Sequence, residues 1–159
     1  ILYRGTGHDE DGTYSEKPDV YYKLMQRLQR KIDGARDYLP GPIIKEDPEQ
    51  DLGVIFYGSM ENTIGEIEDI VEEKTGKKIS TCRIRALPLH SEVEAFMEKH
   101  NKVLVVEINR DAQLYGIMRK EYPLHLLDKM LSVAYSDGMP PRGRLYAERI
   151  VAALEEAEI

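Results

Sequence analysis

The chain has 159 residues, 42% apolar and 32% charged, a length that fits one ordinary domain with an extended arm at one end. Lys plus Arg number 22 against 29 Asp plus Glu, and the resulting charge of −7 argues against a body built to neutralise nucleic-acid phosphates. The longest apolar runs, at 54–57 and 103–106, fall far short of the roughly 20 residues a membrane helix needs, and the single cysteine, Cys82, rules out an internal disulfide and an iron-sulfur cluster held by this chain alone.

The opening Ile1-Leu2-Tyr3, with neither Met nor a basic leader, reads as the start of an excised piece of something longer, and the cysteine usage fits a reducing, intracellular compartment. Residues 1–17 hold Gly5, Gly7 and Gly12 among charged and small residues with no regular period, so they read as a loop or arm with room for a short strand at 2–4. A helix is expected from Pro18. Proline suits the first helical position, Asp19 favours the positive end of the helix dipole, and Tyr21, Leu24, Met25, Leu28 and Ile32 recur at spacings of three and four. Gly34 weakens this helix, and Pro40, Gly41, Pro42 and Pro48 make 39–52 an irregular connector. The expected division is therefore an arm, amphipathic helix and Pro-rich connector at 1–52, followed by a compact α/β domain at 53–159.

The run 54–57 lies between Gly53 and Gly58-Ser59, as a strand covered on both faces would. Met60, Ile64, Ile67, Ile70 and Val71 mark one face of a following helix that Gly76 stops. Residues 79–85 alternate, with Cys82 and Ile84 opposite Thr81, Arg83 and Arg85, until Pro88 ends the strand. Ser91 with Glu94 reads as a capping box ahead of Val93, Phe96 and Met97, and 103–106 is a second fully apolar strand ending in Glu107. A short helix on Leu114, Tyr115, Ile117 and Met118, a last strand at 130–134 and a final helix on Tyr146, Ala147, Ile150, Val151 and Leu154 complete the series. Strands alternating with helices predict an α/β layer fold with a buried parallel sheet.

Ligands and partners of such sheets meet the carboxyl ends of the strands, so the turns there are the candidate sites. Gly58 and Ser59 stand where a strand hands over to a helix, which suits either anion binding at exposed N–H groups or a plain tight turn and helix cap. No Walker lysine follows, no GxGxxG occurs, and Gly76-Lys77-Lys78 lacks the upstream glycine of a P-loop. The second turn runs Glu107-Ile108-Asn109-Arg110-Asp111-Ala112-Gln113. Its Glu107, Asn109 and Gln113 suit a polar ligand or neighbouring domain, while Asn109 or Asp111 also suits a helix cap.

His8-Asp9-Glu10-Asp11-Gly12 groups three carboxylates with an imidazole, but the EF-hand register puts Gly7 at the first ligand position, so a structured docking loop is read there and no metal is assigned. Lys23, Arg27, Arg30 and Lys31 form a basic stripe on the first helix, either a solvated face or a dock for an acidic partner. No serine has a nucleophile-elbow pattern, Cys82 sits in a strand, and His90, His100 and His125 are scattered, so no catalytic residue is assigned. Two readings from other classes stay open beside those below: a free-standing α/β module binding a small anion at Gly58 and Ser59, and a protein–protein adaptor using the basic helix.

Several segments in one order resemble the C-terminal part of the alpha subunit of 2-oxoacid:ferredoxin oxidoreductases. They are His8-Asp9-Glu10-Asp11-Gly12, the helix with Gln29-Arg30-Lys31, Gly58-Ser59, 103–109 with Gln113-Leu114, and Asp137-Gly138-Met139-Pro140 before the final helix. The sequence departs from that family at Ala112, where the family carries glycine before Gln-Leu, and at Glu61-Asn62, where smaller residues are expected. The resemblance implies a transketolase C-terminal-like domain, a three-layer α/β/α sandwich on a mostly parallel sheet of about five strands with one antiparallel edge. It implies a cytoplasmic heteromer in which thiamine diphosphate, Mg²⁺, an iron-sulfur cluster and coenzyme A convert a 2-oxo acid to acyl-CoA while reducing ferredoxin, with the 2-oxoglutarate-type branch favoured. This chain lacks the Gly-Asp-Gly motif of a diphosphate-binding domain, so it is expected to bind none of these groups alone and to serve assembly. The expected docking residues are His8, Asp9, Glu10, Lys23, Arg27 and Arg30, facing other alpha-subunit domains and the beta subunit; ferredoxin is met through the complex, and no nucleic acid or membrane is involved.

Overall fold

A computed structural model describes residues 7–47 and 51–157; the strand read at 2–4 and Pro48 lie outside them. The chain divides into two units, residues 1–39 and 40–159.

In unit 1 the turn after Gly7 folds back so that His8 and Tyr14 form an antiparallel bridge. Helix α1, Pro18–Ala35, follows with Pro18 in its first turn and runs through Gly34 into a 3-10 turn at Arg36–Tyr38. Of its expected apolar stripe only Leu24 is buried, while Tyr21, Met25 and Ile32 are exposed.

Unit 2 contains a five-stranded sheet. Its elements are β1 Ile43–Lys45, β2 Leu52–Tyr57, α2 Ile64–Thr75, β3 Ser80–Ile84, α3 Ser91–Lys99, β4 Lys102–Glu107, α4 Gln113–Glu121, α5 Leu124–Leu127, β5 Met130–Ala134 and α6 Gly143–Glu156. The strand order is β1-β3-β2-β4-β5, with β1 antiparallel to β3 and the other pairs parallel. This is the three-layer α/β sandwich with one antiparallel edge.

The pleat explains why β2 and β4 read as unbroken apolar runs. Leu52, Val54, Phe56, Leu104, Val106 and Val133 point to one face and pack with Ile64, Ile67 and Val71 of α2 and Tyr146, Ala147, Ile150 and Leu154 of α6. Ile55, Cys82, Ile84, Val103, Val105 and Met130 point to the other, against Val93, Phe96 and Met97 of α3, Leu114 and Met118 of α4 and Leu126 of α5. Each fully buried Val, Leu, Ile, Phe or Met among them contributes roughly 1.5–3 kcal/mol. Gly53 is needed for closeness, since a Cβ there would lie 2.7 Å from Cε1 of Phe96.

Three local readings are corrected. The stretch 39–52, read as an irregular connector, contributes the edge strand β1, whose three residues are too few to show a period and whose pairing comes from β3. The helix after Gly58 does not start at Met60: a 3-10 turn, Gly58–Asn62, intervenes before α2. The Ser91–Glu94 capping box does not form, because Ser91 is already helical and His90 is the N-cap, its Nδ1 accepting from the Glu92 N–H at 3.3 Å.

Candidate functional sites

The six residues expected to dock a partner, His8, Asp9, Glu10, Lys23, Arg27 and Arg30, line one cleft of about 470 Å³ within unit 1, together with Asp11, Val20, Leu24 and Gln26. The spacing of four and three puts the cations on one face of α1. Opposite them the acidic turn is held by Asp9, whose Oδ1 accepts from the N–H groups of Asp11 at 3.1 Å and Thr13 at 2.9 Å. Arg27 Nη2 lies 3.5 Å from His8 Nε2, and among the described residues no carboxylate pairs with Lys23, Arg27 or Arg30. The cleft therefore presents cations that form no direct ion pair on one wall and carboxylates on the other.

The turn between β4 and α4 has different electrostatics. Glu107 ends a buried strand and is 1% exposed. Its carboxylate accepts from the N–H groups of Leu114 at 2.7 Å and Tyr115 at 3.0 Å and from Asn109 Nδ2 at 2.8 Å. A negative group at a helix start satisfies orphan donors and complements the dipole. Asn109 Oδ1 accepts from the N–H groups of Asp111 at 3.0 Å and Gln113 at 3.3 Å, and Ala112 takes a left-handed conformation to complete the turn. The capping role read for Asn109 is thus shared with Glu107, seven residues from the first amide it holds.

Asn109 Nδ2 also donates to the Tyr57 hydroxyl at 3.0 Å, tying the carboxyl end of β4 to that of β2. These neighbouring strands send their following helices to opposite faces, which makes the gap a topological switch point. Gly58 and Gln113, from the two predicted turns, line a cavity of about 520 Å³ beside it. Ser59 is exposed and does not line it. The other lining residues include Tyr57, Arg85, Leu87 and Ile117, none of which was singled out from the sequence as a site residue. The signal available was that 85–88 is also a turn after a strand.

Burial pushes the Cys82 thiol up to about 12, with Glu92 and Glu46 adding to the shift, which leaves it a poor nucleophile. His100 is buried, with Nδ1 2.7 Å from the Phe96 carbonyl oxygen, while His125 Nε2 meets Glu98 at 2.9 Å. Among the described residues no three His, Cys, Asp or Glu side chains converge as metal ligands do, and no helix is long and apolar enough to cross a membrane. At 137–142, Asp137 accepts from the Met139 N–H and pairs with Arg142; that backbone bond first, then the guanidinium, hold its carboxyl below the usual range.

No protein-family model matches the chain, and no curated protein matches it. Solved structures do. A structure of 2-oxoglutarate:ferredoxin oxidoreductase from Magnetococcus marinus, with 2-oxoglutarate, coenzyme A and succinyl-CoA bound, aligns with 96% of this chain at a TM-score of 0.77 and 20% identity. A split-gene transketolase, solved as an inactive beta4 tetramer, aligns with 73% at a TM-score of 0.51 and 19% identity. This chain spans 26% of the oxidoreductase chain and 40% of the transketolase chain. Residues 40–159 are three quarters of the sequence, so the 96% alignment takes in unit 1 as well. The chain has a transketolase-like α/β fold, and it is a fold that recurs, with its N-terminal arm, in a 2-oxoglutarate:ferredoxin oxidoreductase.

Proposed function

We propose that this chain is the C-terminal structural and assembly domain of the alpha subunit of a thiamine-dependent 2-oxoacid:ferredoxin oxidoreductase, a cytoplasmic heteromer that oxidatively decarboxylates a 2-oxo acid to its acyl-CoA. The observation that carries this is the extent of the likeness: the oxidoreductase alignment reaches beyond the sheet domain into the arm, whereas the transketolase alignment covers a share no larger than the sheet domain itself.

The residues present do not fit the groups that perform this chemistry. An iron-sulfur cluster takes about four thiolates, and the one cysteine here is buried and protonated. Thiamine diphosphate with Mg²⁺ needs a phosphate cradle and a carboxylate-rich cation site; Gly58 leads into a 3-10 turn instead of a full helix start, and among the described residues no metal-ligand cluster forms. No step of the reaction is therefore assigned to this chain. Its part is to extend the subunit interface, with the unit 1 cleft as the contact for other alpha-subunit domains or the beta subunit and with ferredoxin met only through the complex. Unpaired cations facing carboxylates set register and partner choice in such a contact.

The test is made in the assembled protein. Reversing the stripe with Lys23→Glu, Arg27→Glu and Arg30→Glu, or deleting 1–39, is expected to dissociate the subunits on size exclusion while the circular dichroism of the sheet domain is kept. Subunits that still co-elute would contradict the docking role.

A further inference from the structure

We infer that the crevice at the carboxyl edge of the sheet binds a small carboxylic acid with an apolar body. The inference concerns residues 40–159 alone and does not rest on the assembly role. Three residues with unused hydrogen-bonding capacity line one cavity: the exposed Arg85, and Tyr57 and Gln113 beside it. The Arg85 guanidinium is anchored by Nε, which donates to the Gly41 carbonyl at 2.6 Å; among the described residues its Nη nitrogens have no partner, and no carboxylate pairs with it. The Tyr57 hydroxyl accepts from Asn109, leaving its proton without an acceptor among the described residues. The Gln113 carboxamide has no side-chain partner there either.

No acidic residue lines the cavity, and the remaining wall is apolar, formed by Ile84, Leu87, Leu114 and Ile117. A guanidinium fixed through Nε presents its outer edge to a planar anion, and an oxygen of that anion suits the phenol proton. A hydrocarbon tail then removes apolar wall from water. Leu87 is half exposed at the lip, the group such a tail would cover. The volume of about 520 Å³ is within the range of small-molecule sites, and its place at the switch point is where open α/β sheets hold ligands. Glu107, the nearby buried carboxylate, is already held by two helix amides and Asn109, so it is not the recognising group.

The experiment titrates the full 159-residue chain with hexanoate, 1-hexanol and acetate by amide NMR. Hexanoate is expected to saturate at millimolar concentration and to shift the amides of Gly58, Arg85 and Ile117, binding about tenfold more tightly than either hexanol or acetate. Arg85→Gln should weaken hexanoate about tenfold and leave hexanol unchanged, and Leu87→Ser, at an exposed position, should weaken hexanoate severalfold and leave acetate unchanged. Absence of saturation, hexanol binding as tightly as hexanoate, or Arg85→Gln and Leu87→Ser both without effect would each overturn the inference.

Discussion

The turns at 8–12 and 107–113 look alike as sequence, short polar runs rich in carboxylates, yet the molecule uses them in opposite ways. Glu107 sits at the end of a central buried strand, where an unpaired carboxylate would be costly, and it is saturated by the first amides of α4 and by Asn109. In the turn at 8–12 only Asp9 is committed to the backbone; Glu10 and Asp11 are exposed and line a cleft with the cations of α1. The difference follows from what precedes each turn. A polar group that leaves a buried strand must satisfy its own fold, whereas one on an arm is available to something else.

The comparison can be broken most forcefully at Glu107. Replacing it by Ala orphans two helix amides and leaves the Asn109 amide with the Tyr57 hydroxyl as its remaining partner, and urea unfolding is expected to show a loss of roughly 3–5 kcal/mol, since each charge-assisted bond and each unmet donor is worth about 1–3 kcal/mol. A loss below about 1 kcal/mol would mean the network does not hold the turn. Tyr57→Phe sharpens the picture with a smaller effect, about 1 kcal/mol by the same measurement, because Asn109 Nδ2 keeps its bond to Glu107.

The charge reversals at Lys23, Arg27 and Arg30 should change unfolding by no more than about 0.5 kcal/mol each, the range of ordinary surface substitutions. A larger loss would show that the cleft, too, serves its own fold. The smallest effect is expected at Asp137, an exposed carboxylate that is nevertheless bonded to its own backbone. Its carboxyl is held below the ordinary value by the Met139 N–H and then Arg142, so its contribution is present above the unfolded value of about 3.8 and is lost as pH falls through the lower folded value. Carbon-detected NMR titration should put its midpoint below that of an ordinary aspartate; a midpoint at or above it would contradict the pairing.

Much of the layer order is legible because the pleat and the helical repeat write themselves into the apolar positions. Val54 to Phe56 and Val103 to Val106 announce buried parallel strands, and Ile64, Ile67 and Val71 announce the helix that covers one face. What escapes has a common cause. Strand β1 has three residues and takes its conformation from β3, and the cap of α3 is a histidine that local rules rank below the serine beside it. The gathering of His8, Asp9, Glu10, Lys23, Arg27 and Arg30 on one cleft was approachable, since a turn and a helix close in sequence are close in space. The cavity of Tyr57, Arg85 and Gln113 was not, because only the strand order brings together the ends of β2, β3 and β4.

The assembly role is tested most directly by anaerobic purification of the native protein that carries this chain. The quantities to record are intact mass, co-purifying subunits, iron and thiamine content, and dye reduction dependent on a 2-oxo acid and coenzyme A. A longer alpha polypeptide with an iron-containing partner and that activity is predicted. A polypeptide of 159 residues that purifies alone, without iron, thiamine or dye reduction, would contradict it.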